Sequence, residues 1–479
     1  MDDLIRRGYA GLYAEVDLAE GTARVLPTPA EAAERVLGGN GLAAWYLWRN
    51  LPAGVEPLAP ENILVLFTGP LTGTLAPACG RWGMAAQGPR RRGYTDAYAG
   101  GGFGTALKAA GLDFVALRGR APRPVVLVLD GDASPVAMRL EEAGDLWGQD
   151  VASSSRALAG RYPHFAAIII GPAGERRSPL AGVVCAGGLA AGRGGLGAVL
   201  GSKNLKAVLV RGHRPVRVWD SAAFLQACRL ANRALRAGLE RGGVFPGARG
   251  QATGDPSRQG QRPGGRRQGR VDPSCLGCPG LCREGGRIPE DTAPQRNPYA
   301  GTGLSEPSST VFAALGASLG RVDRADLLRM AFLCDLYGAD ALGVARAAAA
   351  VLAGRAETRA ADPARLLSLV EGLCSGAIPA EPWLSPPEAP AAQPGEAGSP
   401  GGTAGRGAQG RCGQPGKAPP ALANLLVQCR RVSAALPPEA LHALVVAATG
   451  WPYPSPAALQ EVAQRVQRLM VCLDQGKHA

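Results

Sequence analysis

The chain has 479 residues, of which 46% are hydrophobic and 19% are charged, so it is too long to be a single small module. Its 68 glycines and 40 prolines indicate irregular segments between folded parts. The formal net charge of +13 favours acidic partners such as nucleic acid, an acidic redox protein or a phosphate-bearing cofactor, and does not choose among them.

The beginning of the sequence, MDDLIRRGYA, lacks the basic-then-apolar order of a signal peptide. No stretch reaches the ~18 apolar residues that a membrane helix needs. We therefore expect a cytoplasmic protein without a membrane partner. In that reducing compartment the eleven cysteines are expected to be thiols or metal ligands rather than disulfides.

Up to about residue 212, short apolar runs bounded by glycine or proline predict β-strands. These runs are YAEVDL, NILVLF, FVALRG, PVVLVLDG, HFAAIII and KAVLVRG. Two helices are predicted among the strands, at about 28–50 and at about 144–160. Thr28 is the expected cap of the first helix and Pro29 its first residue.

After residue 212 the apolar residues repeat with the period of a helix. The predicted helices are 220–242, 323–354, 362–374, 420–433, 436–449 and 456–473, the last capped by Ser455. Residues 249–270 hold six arginines against one aspartate, and 381–420 are rich in proline, glycine and alanine. Both segments are typical of linkers. An RNA-binding tail is the alternative for 249–270, and we expect no nucleic-acid partner.

Three cysteines, Cys275, Cys278 and Cys282, are grouped in the stretch CLGCPGLC. Structural zinc needs four ligands, commonly as two C-x2-C pairs, and no second pair lies near in the sequence. Iron–sulfur clusters use thiolates on short glycine- and proline-containing loops, and their fourth ligand is often remote in sequence. A [4Fe–4S] cluster fits this spacing best, with zinc or no metal as the alternatives.

Two glycine-rich stretches, 80–121 and 188–208, allow backbone N–H groups to approach an anion closely. Arg81 and Arg193 could add charge-assisted hydrogen bonds to such an anion. Neither stretch is a P-loop or a dinucleotide-binding motif. The two interpretations are a site for a phosphate-bearing cofactor and plain glycine turns in a β domain.

The stretch CDLYGAD carries Asp335 and Asp340 near the end of a predicted helix. On an unbroken helix two side chains five positions apart diverge by ~140°, so both can face one ligand only if the helix breaks. Gly338 would allow that break. Two convergent carboxylates would suit a heterocycle with several N–H donors, such as a pterin, and exposed acids near a helix end are the alternative.

Taken together, these motifs resemble the aldehyde ferredoxin oxidoreductase family, whose members carry a tungsten bis-pterin cofactor beside a [4Fe–4S] cluster. Over residues 10–212 the resemblance is carried by GGNGLAAWYL, PLAPENILVLFTGPLTGTLAPACGRWGMAAQGP, GGGFGTALKAAGLDFVALRGRA, IIIGPAGE and AAGRGGLGAVLGSKNLKAV. It continues through CLGCPGLC, ALGASLG and CDLYGAD, and more weakly through 421–473.

The resemblance implies an α+β fold. A two-sheet β domain over 1–212 would form the cofactor base. A helical domain over 213–380 would carry the cysteine loop and the D-x-x-G-x-D motif. A linker over 381–420 and a C-terminal helical segment over 421–479 would follow.

The resemblance also implies roles for single residues. The cluster ligands would be Cys275, Cys278, Cys282 and, from a late motif that aligns with NLLVQC, Cys429. Arg81 falls where the family's arginine bridges cluster and pterin. The pterins, their phosphates and their magnesium would be held by Gly100, Ala190, Gly192, Arg193, Asp335 and Asp340.

The chain departs from the family pattern as a divergent and shortened member. Tyr98 replaces an expected asparagine, and Asn424, Leu425 and Val427 replace most of the second pterin motif. The family's acidic pair before ALGASLG becomes Ser308 and Thr310, with Glu306 the nearest carboxylate. None of the four histidines, His164, His213, His442 and His478, stands in the family's context near the metal.

The implied function is oxidation of an aldehyde or a related small substrate at a tungsten or molybdenum bis-pterin. Electrons would pass through the cluster to a ferredoxin-like acceptor, and homodimers are common in such proteins. Catalytic acid and base groups cannot be assigned, and losing such a group costs about 10²–10⁴ in rate. The alternative is a non-catalytic homologue that serves as an iron–sulfur electron-transfer or scaffold subunit.

Overall fold

The computed structural model describes residues 7–90, 92–134, 136–185, 189–240, 275–278, 285–287, 303–305, 315–316, 322, 324–354, 363–380 and 420–475. Within them, two six-stranded β-sheets, with some helices between their strands, are followed by mostly helical regions that include one short strand pair. The predicted α+β class, with an N-terminal two-sheet domain ahead of helical regions, is therefore confirmed.

Six strands of the described part form the first sheet. Their bounds are Leu12–Asp17 (β1), Thr22–Pro27 (β2), Leu64–Phe67 (β3), Trp82–Gly88 (β4), Gly93–Ala99 (β5) and Leu112–Arg118 (β6). The strand order is β2-β1-β6-β3-β4-β5. Strands β1 and β6 are parallel and the other neighbours are antiparallel, so β5 is left at an edge of the sheet.

Six further described strands form the second sheet. Their bounds are Val125–Asp130 (β7), Ala137–Glu142 (β8), Ala166–Ile169 (β9), Val183–Cys185 (β10), Leu189–Ala191 (β11) and Leu205–Arg211 (β12). The order is β11-β10-β9-β12-β7-β8, with β12 and β7 parallel. The edge strand β11 lies beside β5, so the two sheets meet at these edges. A separate pair, Gly285–Arg287 (β13) and Gly303–Ser305 (β14), is antiparallel.

Successive side chains of a strand point to opposite faces of the sheet. In the apolar strands both of these faces are buried. On β3, Leu64 and Leu66 pack into a cluster between the two sheets, whereas Val65 and Phe67 pack against helices on the outer face. This explains why the strands read as continuous apolar runs rather than as alternating ones.

The helices of the described part fall into four groups by packing. Their bounds are Ala30–Val36 (α1), Asn40–Asn50 (α2), Phe103–Ala109 (α3), Val151–Arg161 (α4), Pro172–Glu175 (α5), Leu196–Ser202 (α6), Ser221–Glu240 (α7), Arg324–Tyr337 (α8), Ala341–Gly354 (α9), Pro363–Ser375 (α10), Pro420–Leu426 (α11), Arg430–Ala435 (α12), Pro438–Thr449 (α13) and Pro456–Asp474 (α14). Helices α1, α2, α7 and α11–α14 cover the outer face of the first sheet, and α3 packs between the two sheets. Helix α4 covers the outer face of the second, and α8–α10 pack together beside α5 and α6.

Three predicted helices are broken in the structure at residues with positive φ. The helix expected at 28–50 is interrupted by Leu37 at φ 64° and Gly39 at φ 53°. A Cβ at Gly39 would lie 2.3 Å from the Asn424 carbonyl oxygen, so the break admits the end of α11. The predicted helix at 420–433 breaks at Val427, with φ 53°. The third break, at Gly338, is described with the site below.

The two predicted caps have different outcomes. Ser455 caps α14 as expected, because its side chain accepts a hydrogen bond from the Ala458 N–H. The prediction for Thr28 was wrong, since its hydroxyl donates 2.9 Å to Asp113 and Pro29 occupies the cap position. Asp113 also forms a buried ion pair with Lys108, which holds this part of the chain in place.

The domain boundaries at 212, 380 and 420 stay predictions. Helix α7 lies against α13, on the first sheet, whereas α8–α10 form their own apolar cluster. Among the described helices, none is both long and apolar enough to cross a membrane.

Candidate functional site

The turn that carries Cys275 and Cys278 is attached to the loop before β4. The Cys278 N–H donates 3.0 Å to the Cys275 carbonyl oxygen, which closes the turn. The Gly277 carbonyl oxygen accepts a 2.9 Å hydrogen bond from the Ala78 N–H. The C-x2-C turn is thereby fixed to Ala78 through the backbone.

Cys429 reaches the same loop from the other end of the chain. It occupies the N-cap position of α12, where Val427 has ended the preceding helix. The Cys429 N–H donates 3.2 Å to the Ala78 carbonyl oxygen, and the Gln428 amide donates 3.0 Å to the carbonyl of Pro77. Ala78 therefore joins the C-x2-C turn on one side to Cys429 on the other.

Cys282 lies outside the described residues. Within the described ranges, no group of three or more His, Cys, Asp or Glu side chains is placed to hold a metal ion. The structure thus brings Cys275, Cys278 and Cys429 to one loop, and the complete ligand set remains a prediction.

Arg81 lies directly beside the cysteine turn. A Cβ at the preceding Gly80 would lie 2.5 Å from the Leu276 nitrogen, so only glycine permits this approach. The Arg81 Nη2 donates 3.3 Å to the Tyr98 carbonyl oxygen, and its Cζ lies 5.9 Å from the centre of the Tyr98 ring. Arg81 therefore links the turn to strand β5.

Tyr98 is part of a polar cluster on one face of β5. Its hydroxyl donates 2.8 Å to Asp96, which also accepts a 3.0 Å hydrogen bond from the Asn40 amide. Burial, followed by the nearby Asp96 carboxylate, raises the pKa of Tyr98 well above its ordinary value, so this phenol stays protonated. The Arg430 guanidinium lies 6.0 Å from the ring centre, on the chain segment that begins at Cys429.

The D-x-x-G-x-D motif breaks at Gly338, as predicted. Helix α8 ends at Tyr337, and Gly338 takes φ 68°. The chain then pairs with residues 180–182: the Gly182 N–H donates 2.7 Å to the Gly338 carbonyl oxygen, and the Asp340 N–H donates 2.7 Å to that of Leu180.

Asp340 is buried and paired with an arginine. Its Oδ2 accepts a 2.9 Å hydrogen bond from Arg90 Nη1, and the two side chains are 10% and 18% exposed. Cβ atoms at Gly192 and Gly343 would lie 3.2 and 2.9 Å from the two carboxylate oxygens. These two glycines therefore form a narrow cradle around the carboxylate.

Asp335 lies in the last turn of α8, near the thiol of Cys334. The Cys334 pKa is raised, chiefly by the hydrogen bond with Cys374 and then by burial. Asp335 and Asp340 both add to this rise through their charge. The Asp335 carbonyl oxygen also accepts a 3.2 Å hydrogen bond from the Gly338 N–H at the helix break.

The glycine-rich segment at 189–195 meets the Asp340 region. Ala190 lies on β11, and Arg193 begins a 3-10 turn with an exposed side chain. Between them, a Cβ at Gly192 would lie 3.1 Å from the Asp340 Cα. Gly194 takes φ 83°, where a Cβ would lie 2.0 Å from Thr95 of β5. Gly100 follows β5, and its carbonyl oxygen accepts a 3.2 Å hydrogen bond from Trp82.

The predicted residues therefore form two groups on either side of β5. One side of β5 has Arg81 and the three described cysteines. The other side has Ala190, Gly192, Arg193 and Asp340. Sequence reasoning missed four polar residues of these regions: Asn40, Asp96 and Arg430 beside Tyr98, and Arg90 beside Asp340. The arginine run RRR before β5 and the CRR stretch at 429–431 are the signals that could have indicated two of them.

Residues 13–212 match the aldehyde ferredoxin oxidoreductase N-terminal domain. A tungsten-containing aldehyde ferredoxin oxidoreductase from Pyrococcus horikoshii is 32% identical over 359 residues, which are 70% of this chain and 57% of that protein. An aliphatic sulfonate oxidoreductase, WOR-like subunit, from Pyrococcus furiosus is 31% identical over 230 residues, 44% of this chain and 36% of that protein. The chain spans somewhat over half the length of the first relative.

A solved structure, the active site complex BamBC of benzoyl coenzyme A reductase in complex with 1,5-dienoyl-CoA, has a similar fold. The TM-score is 0.76 at 19% sequence identity, covering 99% of this chain and 90% of that one. At this identity the likeness concerns the fold alone. With the matched domain, the relatives and the arrangement around β5, the chain belongs to the aldehyde ferredoxin oxidoreductase family as a divergent member.

Proposed function

We propose that this chain is a tungsten- or molybdenum-pterin oxidoreductase that oxidises an aldehyde or a related small substrate. It passes the electrons through a [4Fe–4S] cluster to a ferredoxin-like acceptor. The observation that carries the proposal is the attachment of both the C-x2-C turn and Cys429 to Ala78, because it places thiols 154 and 151 positions apart at one loop beside Arg81.

The donor set at this loop fits an iron–sulfur cluster. Cys275, Cys278 and Cys429 are partly exposed, as cluster ligands on a surface loop would be, and thiolates are the usual ligands of such clusters. Cys282 would complete the set. The backbone hydrogen bonds of Ala78 would hold these sulfurs in place and thereby orient the cluster relative to Arg81.

The residues around Asp340 fit the polar edge of a pterin. A carboxylate accepts hydrogen bonds from ring N–H groups. Oδ2 of Asp340 is paired with Arg90, so Oδ1, which faces Gly192, would be the acceptor. Asn40 supplies a second indication, because its Oδ1 is buried without a hydrogen-bond partner in the described part of the chain. Arg193 and magnesium would bind the pterin phosphates.

The bound metal-pterin would accept the two electrons of the substrate, and the cluster would pass them on singly. The residues of the chain itself would hold the bound groups in position. Arg81 joins the loop beside the cysteines to β5. The protonated Tyr98 donates to Asp96 and so keeps that carboxylate oriented towards Asn40. Arg430 adds positive charge at the same place.

One observation favours the alternative of a non-catalytic homologue. The three described histidines belong to neither of the residue groups beside β5. His213 contacts Asp132 on the surface, His442 contacts the Tyr453 carbonyl, and His164 is exposed. In that alternative the chain would keep the cluster as an electron-transfer or scaffold subunit without a working metal-pterin.

Metal analysis of anaerobically purified protein tests the proposal. We expect about four iron atoms and about one tungsten or molybdenum atom per chain. Cys429→Ser should remove at least about one iron per chain, whereas Cys472→Ser, on α14, should leave the iron content unchanged. Asp340→Asn should lower the tungsten or molybdenum content several-fold, and Asp145→Asn, which breaks an exposed pair with Arg161, should not.

Iron without tungsten or molybdenum in the wild-type protein would replace the catalytic proposal by the non-catalytic one. A wild-type protein without iron would overturn both.

A further inference from the structure

An open groove lies along the exposed side of α7. Its volume is about 640 Å³. The residues that line it are Leu75, Leu225, Cys228, Arg229, Asn232, Arg233 and Arg236. Apart from Leu75, which faces α7 from the loop before β4, all of them lie on that helix. The groove belongs to neither of the two residue groups beside β5.

The groove is positively charged. Arg229, Arg233 and Arg236 are four and three positions apart on α7, so they share one face of the helix, and all three side chains are exposed. In the ranges that the structure describes, no salt bridge neutralises these guanidinium groups. They would attract a partner that carries carboxylates.

Exposed leucines border the same surface. Leu75 is 68% exposed and Leu225 is 42% exposed, and Leu276 in the C-x2-C turn is 54% exposed. Large apolar side chains on a surface that also carries arginines are typical of protein–protein interfaces, where the apolar contact adds affinity and the charges direct the encounter.

The groove is close to the cysteines that would hold the cluster. Leu75 is three residues before Ala78, which contacts both Gly277 and Cys429 through backbone hydrogen bonds. Cys228 is part of the apolar cluster against which Cys278 and Cys429 pack. One wall of the groove is thus the outer side of the loop that joins the cysteines.

We propose that this groove is the docking surface of an acidic one-electron carrier protein. The inference rests on the proposed function, because the carrier would take its electron from the cluster beside the groove. In each transfer the cluster of this chain is oxidised by one electron and that of the carrier is reduced by one electron, and no bond forms or breaks.

Charge distinguishes this occupant from the others. The chain's own segment 249–270 carries six arginines against one aspartate, so it has the same sign as the groove and would be repelled. A nucleic acid would also be attracted by the arginines. The leucines around them favour a protein, since single-stranded nucleic acids are usually held by stacking on aromatic side chains.

Stopped-flow kinetics of the full-length protein, reduced with dithionite, would test the groove. The probes are an oxidised acidic [2Fe–2S] ferredoxin and benzyl viologen as a small acceptor. We expect Arg229→Glu/Arg233→Glu to slow electron transfer to ferredoxin by about 10-fold or more at low salt, with a weaker salt dependence. Transfer to benzyl viologen should be unchanged.

The matched control is Arg156→Glu/Arg346→Glu, which reverses two exposed arginines on α4 and α9 and should leave both rates unchanged. Circular dichroism and iron content confirm that each variant is folded and loaded. Equal ferredoxin rates in wild type and the groove variant would overturn the docking surface while viologen reduction still supports the proposed function. A wild-type protein that contains no iron and does not reduce viologen would instead contradict the proposed function.

Two further outcomes would also overturn the docking surface. One is a single-stranded RNA that binds the wild type more tightly than ferredoxin does and loses its affinity in the groove variant. The other is a wild-type dimer that the groove variant dissociates in analytical ultracentrifugation, since a second copy would then occupy the groove.

Discussion

At the scale of single residues, Lys203 shows how burial changes a charge. It follows α6, and its Nζ donates hydrogen bonds to the carbonyl oxygens of Pro60 and Gly119, both at 3.1 Å. Burial, reinforced by the nearby Arg120, lowers the pKa of Lys203 from 10.5 to about 7. In the unfolded chain a lysine titrates at about 10.4, so the native protein releases this proton at a lower pH.

This difference predicts a pH-dependent stability. Between about pH 7 and about pH 10.4 the unfolded state binds more protons at Lys203 than the native state does. The free energy of unfolding therefore rises with pH, by up to about 1.4 kcal/mol per pH unit from this group. Below pH 7 the native state carries the whole cost of the buried charge.

We expect Lys203→Met to remove this rise. The urea midpoint of the wild type should increase relative to that of the variant between about pH 7 and about pH 9. Contributions from other titrating groups cancel in the comparison. Parallel pH profiles for the two proteins would show that Lys203 does not titrate in this range.

At the scale of secondary-structure elements, the end of α8 depends on Gly338. The residue combines φ 68° with a close approach to another chain segment, because a Cβ there would lie 2.6 Å from the Gly171 nitrogen. The break lets the chain pair with residues 180–182 and so places Asp340 beside Arg90. Both effects select glycine at this position.

Gly338→Ala should therefore lower the free energy of unfolding by more than about 2 kcal/mol, measured by urea denaturation, because strain in the left-handed region adds to the clash. Gly376→Ala is the matched control. Gly376 also has positive φ, at 76°, but its Cβ would meet only the Arg176 Cδ at 3.9 Å, so it should cost about 1 kcal/mol. Equal losses would mean that the approach to Gly171 is unimportant.

At the scale of the whole molecule, an arginine near the beginning of the chain connects its middle and its end. The Arg7 guanidinium lies 4.2 Å from the ring centre of Trp219 and 4.5 Å from that of Trp451. It also donates 3.0 Å to the Thr449 carbonyl oxygen. The C-terminal helices are thereby held to the segment that precedes the first strand.

Arg7→Gln should lower the free energy of unfolding by about 1–2 kcal/mol, because it removes two cation–π contacts. Thermal or urea unfolding measures the loss. Arg49→Gln is the control, since the exposed Arg49 makes one longer contact, 5.5 Å from the Trp45 ring centre, and should cost less than about 0.5 kcal/mol. A loss as large in the control would argue against a special role for Arg7.

The strands and helices that the sequence predicted are those with a regular apolar pattern. The runs NILVLF and KAVLVRG became β3 and β12, and the helical period after residue 212 became α7. Strands β4 and β5 were not predicted, because their stretches are dominated by small and polar residues whose pairing depends on neighbouring strands. The helix breaks at Leu37 and Val427 were missed for a similar reason, since neither residue type favours positive φ.

The sequence by itself determined the fold class and the family, because residue types and local spacing carry that information. Which residues hold a cluster or a pterin stays a prediction from the same motifs. Only the tertiary structure decided that Ala78 joins the cysteine turn to Cys429, that Arg90 pairs with Asp340, and that three arginines of α7 share a groove with Leu75. These relations join residues up to hundreds of positions apart. They depend on how sheets and helices pack, which no local pattern encodes.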